Sequence, residues 1–203
     1  MADHAGRVIA GRAAGRRLAA PGPGTRPLTD RVKQTLFAIL EPELAGARFL
    51  DLCAGTGAGA IEALSRGATG ALLVEHDARA CRTIAENLAH TQLGGPTVAV
   101  VRSDAIAWLT AALKAPERVT ADGLFDVVLL DPPYEEQRLL EAILDLLGGE
   151  SAGALLAAGA TIVAKHFWRT GPPARIGLLR SVRERRFGET TLTFYRRVAT
   201  EDG

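Results

Sequence analysis

The chain is poor in cysteine: Cys53 and Cys81 are its only two, too few for a disulfide framework, and neither stands at metal-ligand spacing from His4, His76, His90 or His166. Two buried, reduced thiols and no bound metal are expected. No run of about 18 apolar residues occurs, so no membrane-spanning helix is expected. The opening Met1-Ala-Asp-His-Ala-Gly6 lacks the basic-then-apolar layout of a secretory signal, which points to a cytoplasmic protein. Internal repeats and low-complexity tracts are absent.

A further absence bears on chemistry. From Ala47 to Gly59 an apolar run ends in an aspartate and passes straight into glycines, Ala-Arg-Phe-Leu-Asp-Leu-Cys-Ala-Gly-Thr-Gly-Ala-Gly. That pattern reads as a buried parallel strand feeding a ligand-binding turn. The spacing is G-x-G-x-G, without the G-x-G-x-x-G that seats a dinucleotide pyrophosphate. Gly55, Gly57 and Gly59 are expected to approach a ligand and take positive φ, with Ala60, Ile61 and Leu64 starting a helix behind them. Asp51 would repel a pyrophosphate but suits a ligand carrying an ammonium and a sulfonium, which favours S-adenosylmethionine over NAD.

With 203 residues the chain has room for one well-buried domain and a small appendage. The net charge of +1 hides a segregation: residues 1–34 carry seven Lys/Arg against two Asp/Glu, residues 165–197 nine against two, and residues 35–164 eight against seventeen. Two basic segments flanking an acidic middle suit a polyanion held over a site.

Arg7 to Leu18 holds two short apolar stretches parted by glycine and reads as a hairpin, crowded by Arg7, Arg12, Arg16 and Arg17. Pro21 to Pro27 follows as a linker. Thr29 is placed to cap a helix starting at Asp30, with Val32, Leu36, Phe37, Ile39 and Leu40 as its apolar face and Pro42 as its stop; Thr29, Asp30 and Arg31 stand where polar groups reach a neighbouring pocket. Gly70 to Glu75 is a strand ending in a carboxylate, followed by a helix with Cys81, Ile84, Ala85 and Leu88 on one face. Glu75 at that strand end is placed to accept hydrogen bonds from the two ribose hydroxyls of an adenosine, and His76 and Asp77 start the helix. Thr97 to Asp104 is the third strand; Asp104 and Ala105 open a helix with Ile106, Leu109 and Leu113, where Asp104 serves as a cap, an adenine contact, or both.

Phe125 to Leu130 is the next buried strand, and it delivers Asp131-Pro132-Pro133-Tyr134 at its carboxyl end, where open α/β sheets bind ligands. The two prolines remove both backbone donors, so the turn presents acceptors only, the Asp131 carboxylate and the Pro132 carbonyl, which suit the two hydrogens of an amino group. Tyr134 adds a flat face on which a base can stack. Leu139, Leu140, Ile143, Leu144 and Leu147 mark a covering helix, and Ala160 to Ala164 a fifth strand. His166-Phe167-Trp168-Arg169 then forms either a nucleic-acid lip or local packing. Leu178 to Arg186 and Thr191 to Arg197 read as a closing antiparallel pair around Gly188, with Leu192 and Phe194 on one face.

At this point the chain resembles the RsmD family of bacterial rRNA methyltransferases. The carriers are Arg7-Val-Ile-Ala-Gly and Gly15-Arg-Arg-Leu18, the stretch Arg26-Pro-Leu-Thr-Asp-Arg-Val-Lys-Gln-Thr-Leu-Phe37, Asp51 to Gly59, Glu62 to Ala68, and Asp131 to Tyr134. The resemblance implies a Rossmann-like class I S-adenosylmethionine-dependent methyltransferase fold, α/β, with a seven-stranded mostly parallel sheet, its last strand antiparallel, and an N-terminal β-hairpin extension. Residues 1–27 become a basic RNA-binding arm and linker, and 28–203 the catalytic domain. The implied activity is methylation of a guanine N2 in 16S rRNA, in the helix 31 loop of an assembled 30S subunit, by a monomer.

Carried across, Asp51, Ala54, Gly55, Thr56 and Gly57 resemble the methionine-side cofactor loop. Glu75 with His76 answers to the ribose contact, Asp104 and Ala105 to the adenine contact, with Thr29 near the cofactor, and Asp131, Pro132, Pro133 and Tyr134 to the catalytic turn. Arg7, Arg12, Arg16, Arg17, Arg31, Trp168 and Arg169 are the expected RNA contacts. Cys53 stands where the family often has an aromatic, and Ala13-Ala14 likewise in the arm. Two rivals stay open: an adenine N6 methyltransferase, served equally by Asp-Pro-Pro-Tyr, and a non-catalytic ribosome-binding protein that kept the fold. A nicotinamide dehydrogenase is disfavoured by the glycine spacing.

Overall fold

Thr29 accepts a hydrogen bond from the Val32 amide at 3.4 Å and starts helix α1, Asp30–Leu44, in a computed structural model that describes residues 4–20 and 28–198. The expected linker Pro21–Pro27 lies outside the described residues. Pro42 does not end α1 but sits inside it, because a proline in the final turn forfeits only one hydrogen bond near an end already short of partners. The chain divides into two compact units, Met1–Asp104 and Ala105–Gly203.

In the first unit, β1 (His4–Arg7) and β2 (Arg17–Ala19) pair antiparallel as the expected hairpin. Strands β3 (Arg48–Leu52), β4 (Gly70–Glu75) and β5 (Val98–Arg102) run parallel in the order β5-β4-β3. Every residue of β3 and β4 is buried, as expected of parallel strands covered on both faces, whereas β5 is half-exposed. Helix α2 (Ala58–Ser65) is entirely buried, and α3 (Ala78–Thr91) buries Ala80, Thr83, Ile84, Asn87, Leu88 and Thr91. Ala85 is exposed and Cys81 only half-buried, so the inner face of α3 is rotated from the expected one toward Asn87, which the arm and the glycine turn both bond. Cys53 and Cys81 are both half-buried rather than buried.

The second unit starts with α4 (Ala105–Lys114), which buries Trp108 and Ala112 beside Leu109 and leaves Ile106 and Leu113 partly exposed. Strand β6 (Phe125–Leu130) has the expected bounds, and α5 (Gln137–Gly148) covers it with Leu140, Ile143, Leu144 and Leu147, each fully buried apolar chain contributing about 1.5–3 kcal/mol. Strand β7 is twelve residues long, Leu156–Phe167, so Lys165, His166 and Phe167 belong to it rather than following it. It is parallel to β6 and antiparallel to β10 (Thr190–Arg197), which also pairs antiparallel with β9 (Leu179–Phe187). A two-residue strand, β8 (Arg175–Ile176), adds to β9 beyond the expected elements. Strand β10 buries Thr191 to Tyr195 consecutively, so both of its faces are covered there and the alternation expected of it is absent.

Candidate active site

The glycine turn follows β3 as a sequence of tight backbone contacts. The amides of Cys53 and Ala54 donate to the Val74 carbonyl at 3.1 and 3.0 Å, and Gly57 donates to the Ala54 carbonyl at 2.7 Å. Gly57 holds φ 75° at the start of α2, where a Cβ would lie 3.2 Å from Ile84 Cγ2 and Leu73 Cδ2. Gly59 departs from expectation: it lies within α2 and is not among the positive-φ glycines, because the chain has become helical by Ala58. Cys53 instead takes a left-handed φ of 76°, a conformation a side chain adopts at a cost.

Two carboxylates frame this turn. Asp51 is buried and its Oδ2 accepts from the Ala60 amide at 3.2 Å. Glu75 is buried at the end of β4; its Oε2 accepts from Gly55 N and its Oε1 from Asp77 N, both at 2.8 Å, with His76 Nδ1 3.1 Å away. Asp77 caps α3 by accepting from Arg79 and Ala80, and those amides, Ala80 first, hold its carboxyl below the usual range. One N-terminal amide of α2, that of Ala60, is given to Asp51, and the Asp51 carboxylate so placed disfavours a pyrophosphate at this turn. Two buried carboxylates framing the turn fit a ligand bearing ammonium and sulfonium groups, and Glu75 retains lone pairs for hydroxyls. Thr56 is buried, Ala105 is buried, and Asp104, Thr29 and Arg31 are exposed.

The arm is docked on this same unit through side chains that sequence reasoning missed. Glu62, fully buried on α2, accepts from Ile9 N at 2.7 Å, Ala10 N at 3.0 Å and Arg66 Nε at 2.8 Å. Ser65 Oγ donates to the Ala10 carbonyl at 2.5 Å and accepts from Ala13 N at 3.0 Å. At Gly11, φ 82°, a Cβ would lie 1.9 Å from the Ser65 carbonyl oxygen, so only glycine allows this contact. Lys33, fully buried, donates to the Arg7 carbonyl, and burial pushes its ammonium pKa down against the opposing fields of Glu62 and Asp30. Asn87 accepts from Ala19 N at 2.8 Å and donates to the Ala19 and Thr56 carbonyls at 3.2 and 3.0 Å. Of the expected RNA contacts in the arm, Arg16 is held by the His90 carbonyl and Gln92, and Arg7 by Asp30 at 3.2 Å, whereas Arg12 and Arg17 are exposed.

In the second unit Pro132, Pro133 and Tyr134 line a cleft with Gln137 and Lys165. Lys165, a residue not singled out from sequence, donates to Asp131 Oδ1 and sets its Nζ 5.1 Å from the Tyr134 ring centroid. Burial raises the Asp131 pKa, and the Lys165 charge and hydrogen bond oppose that rise. Its signal was a lone cation ending the apolar run of a strand. Tyr134 meets Thr190 Oγ1 through its hydroxyl at 2.5 Å, and its ring lies 6.2 Å from that of Phe167. His166 is buried and satisfied, with Nε2 2.8 Å from Thr193 Oγ1 and Nδ1 2.9 Å from the Phe167 carbonyl, which makes it a core residue. Trp168 is half-buried and Arg169 exposed beside it. Among the described residues no cluster of three His, Cys, Asp or Glu could hold a metal, and no helix is long and apolar enough to cross a membrane.

Comparison with known proteins places these features in a lineage. Residues 6–196 match the family described as "Conserved hypothetical protein 95". The chain is 38% identical over 192 residues to the Bacillus subtilis protein named "Putative rRNA methyltransferase YlbH", covering 94% of this chain and 98% of that one. It is 41% identical over 142 residues to "Ribosomal RNA small subunit methyltransferase D" of Escherichia coli K12, covering 70% and 66% respectively. Among solved structures, the one titled "Putative methyltransferase yhhF from Escherichia coli" superposes with a TM-score of 0.80 at 32% identity over 98% of this chain and all of that one, so the two share the same α/β fold. A match that begins inside the docked arm and runs into the last strand leaves one conclusion: the chain belongs to the RsmD family.

Proposed function

We propose that this chain methylates the exocyclic N2 of a guanine in 16S rRNA, using S-adenosylmethionine, with the helix 31 loop of an assembled 30S subunit as its target and a monomer as the working form. The observation that carries the reading is Asp131: a half-buried carboxylate just after β6, fixed through Oδ1 by Lys165 and followed by two prolines that offer no donor. Relatives named as rRNA methyltransferases support the substrate class.

Asp51, Glu75 and the backbone of Ala54 to Gly57 would hold the cofactor, with Asp104, Ala105, His76 and Thr29 around its adenosine. When bound, S-adenosylmethionine supplies an electrophilic methyl group. Asp131 Oδ2 and the Pro132 carbonyl accept the two N2 hydrogens, which draws the nitrogen lone pair out of conjugation with the ring and aims it. Burial makes the Asp131 carboxylate more basic than a solvated one, so it is suited to take the proton that N2 loses, while Lys165 keeps it ionised beforehand. Tyr134 stacks the base, and its hydroxyl bond to Thr190 holds the ring in place. N2 is engaged in pairing within helices, so the target comes from a loop or is flipped out. Arg12, Arg17 and Arg31, with the Trp168–Arg169 segment, contact the flanking RNA.

The test is transfer of labelled methyl groups to unmethylated small subunits and, separately, to their stripped RNA, by wild type and Asp131→Ala, followed by nucleoside analysis. N2-methylguanosine formed by wild type alone supports the reading. N6-methyladenosine replaces it with the adenine rival, and cofactor and subunit binding without label replaces it with a non-catalytic role.

A further inference from the structure

Two guanidinium groups converge on one indole at the end of β7. Arg186 Cζ lies 3.7 Å from the Trp168 ring centroid and Arg169 Cζ 4.7 Å from it. The sheet register explains how they meet. His166 and Arg186 both oppose Thr191 on β10, so they share a face, and Trp168, two residues beyond His166, continues it. The Trp168 amide donates to the Glu189 carbonyl at 3.0 Å and Arg186 Nε donates to the Gly188 carbonyl at 2.8 Å, which anchors the indole and one cation to the same turn.

Like charges gathered on one ring repel each other, and here nothing acidic offsets them. Glu184 and Glu189 lie close in sequence, yet among the described residues no carboxylate forms an ion pair with Arg169 or Arg186. A guanidinium laid on an aromatic ring has its flat face occupied, while its N–H donors point outward in the plane and match a phosphate in bidentate fashion. The ring, covered by cations, has little face left for a base.

We propose that Trp168, Arg169 and Arg186 form a clamp for one RNA phosphodiester next to the target nucleotide, with Trp168 as the platform that aligns the two guanidiniums and not as a base-stacking surface. The inference rests on the RNA-methylation reading above. The aromatic path from the catalytic turn supports it: Tyr134 to Phe167 and Phe167 to Trp168 are each 6.2 Å between ring centroids, which puts the clamp within reach of a flanking nucleotide.

The experiment measures binding of the full chain to unmethylated small subunits and, separately, to the 16S rRNA stripped from them, over a range of salt concentrations, for wild type, Arg169→Gln, Arg186→Gln, the double variant and Trp168→Leu. Neutralising one phosphate contributes about 0.7 to the slope of log K against log salt on single strands. Each single arginine variant should therefore lose up to about that much slope, the double variant no more than about 0.7 in all, and Trp168→Leu a comparable amount with both arginines present. S-adenosylmethionine affinity should be unchanged throughout, which also reports that each variant folds. Unchanged slopes in Arg186→Gln and Trp168→Leu overturn the clamp while leaving RNA methylation standing. A double variant that loses two full contacts overturns it too, because the arginines then hold separate phosphates. Wild type without salt-dependent binding to either the subunits or their RNA overturns both the clamp and the reading beneath it.

Discussion

Lys165 donates a hydrogen bond to Asp131 Oδ1 and holds its ammonium 5.1 Å from the centre of the Tyr134 ring, so a single cation touches both the acceptor and the stacking face of the proposed catalytic turn. Lys165 acts through Asp131 as a positioning residue. Burial raises the Asp131 pKa and Lys165 opposes it, so Lys165→Met should raise it further. A carboxylate that must be ionised is lost as pH falls through its pKa, and a higher pKa moves the acid limb of kcat/KM to higher pH. The variant should therefore lose more activity at pH 6 than at pH 8; a parallel loss at both would reduce Lys165 to a packing role.

Tyr134 separates its two contributions cleanly. Tyr134→Phe keeps the ring and loses only the Thr190 bond, while Tyr134→Ala loses the ring. Stacking of about 1–3 kcal/mol per base predicts that Tyr134→Ala weakens kcat/KM by roughly 5- to 150-fold and that Tyr134→Phe stays close to wild type. Steady-state methylation of small subunits reads the split, and equal damage in both variants would contradict a stacking role.

Glu62 accepts two arm amides through separate oxygens, and an amide side chain has only one oxygen to offer. Glu62→Gln should leave one buried N–H without an acceptor, at a cost of about 1–3 kcal/mol. Hydrogen exchange is the sharper measurement: protection at Ile9 and Ala10 should fall while that of β4 holds.

Gly57→Ala forces a side chain into φ 75° and against Ile84 and Leu73, a strain of about 1–3 kcal/mol. A lowered melting temperature and a weaker S-adenosylmethionine affinity are expected together. Intact cofactor affinity would mean that the turn is not the cofactor loop.

The elements read most accurately from sequence were β4 and β6, whose apolar runs are bounded by a glycine and charged residues, and the Asp131 to Tyr134 turn, whose proline pair fixes its conformation. Strand β7 was read short because Gly159 at one end and Lys165-His166 at the other interrupt its hydrophobic pattern; pairing with β6 and β10 extends it regardless. The polar anchors of the arm were not legible. Glu62, Ser65 and Asn87 look like the wet side of a helix until the partner backbone arrives from more than fifty residues away. The 62/66 spacing of Glu and Arg was the available hint, and a surface pair would have shown the same spacing. Lys165 was hidden for a related reason: a single cation at a strand end gains meaning only from the carboxylate across from it.

Asn87 has the widest consequence. Its amide group grips Ala19 in the arm and Thr56 in the glycine turn at once, so the segment proposed to meet RNA and the segment proposed to hold the cofactor share one tether. Any coupling through that tether is reciprocal: whatever RNA does to the grip on the cofactor, the cofactor does in equal measure to the grip on RNA.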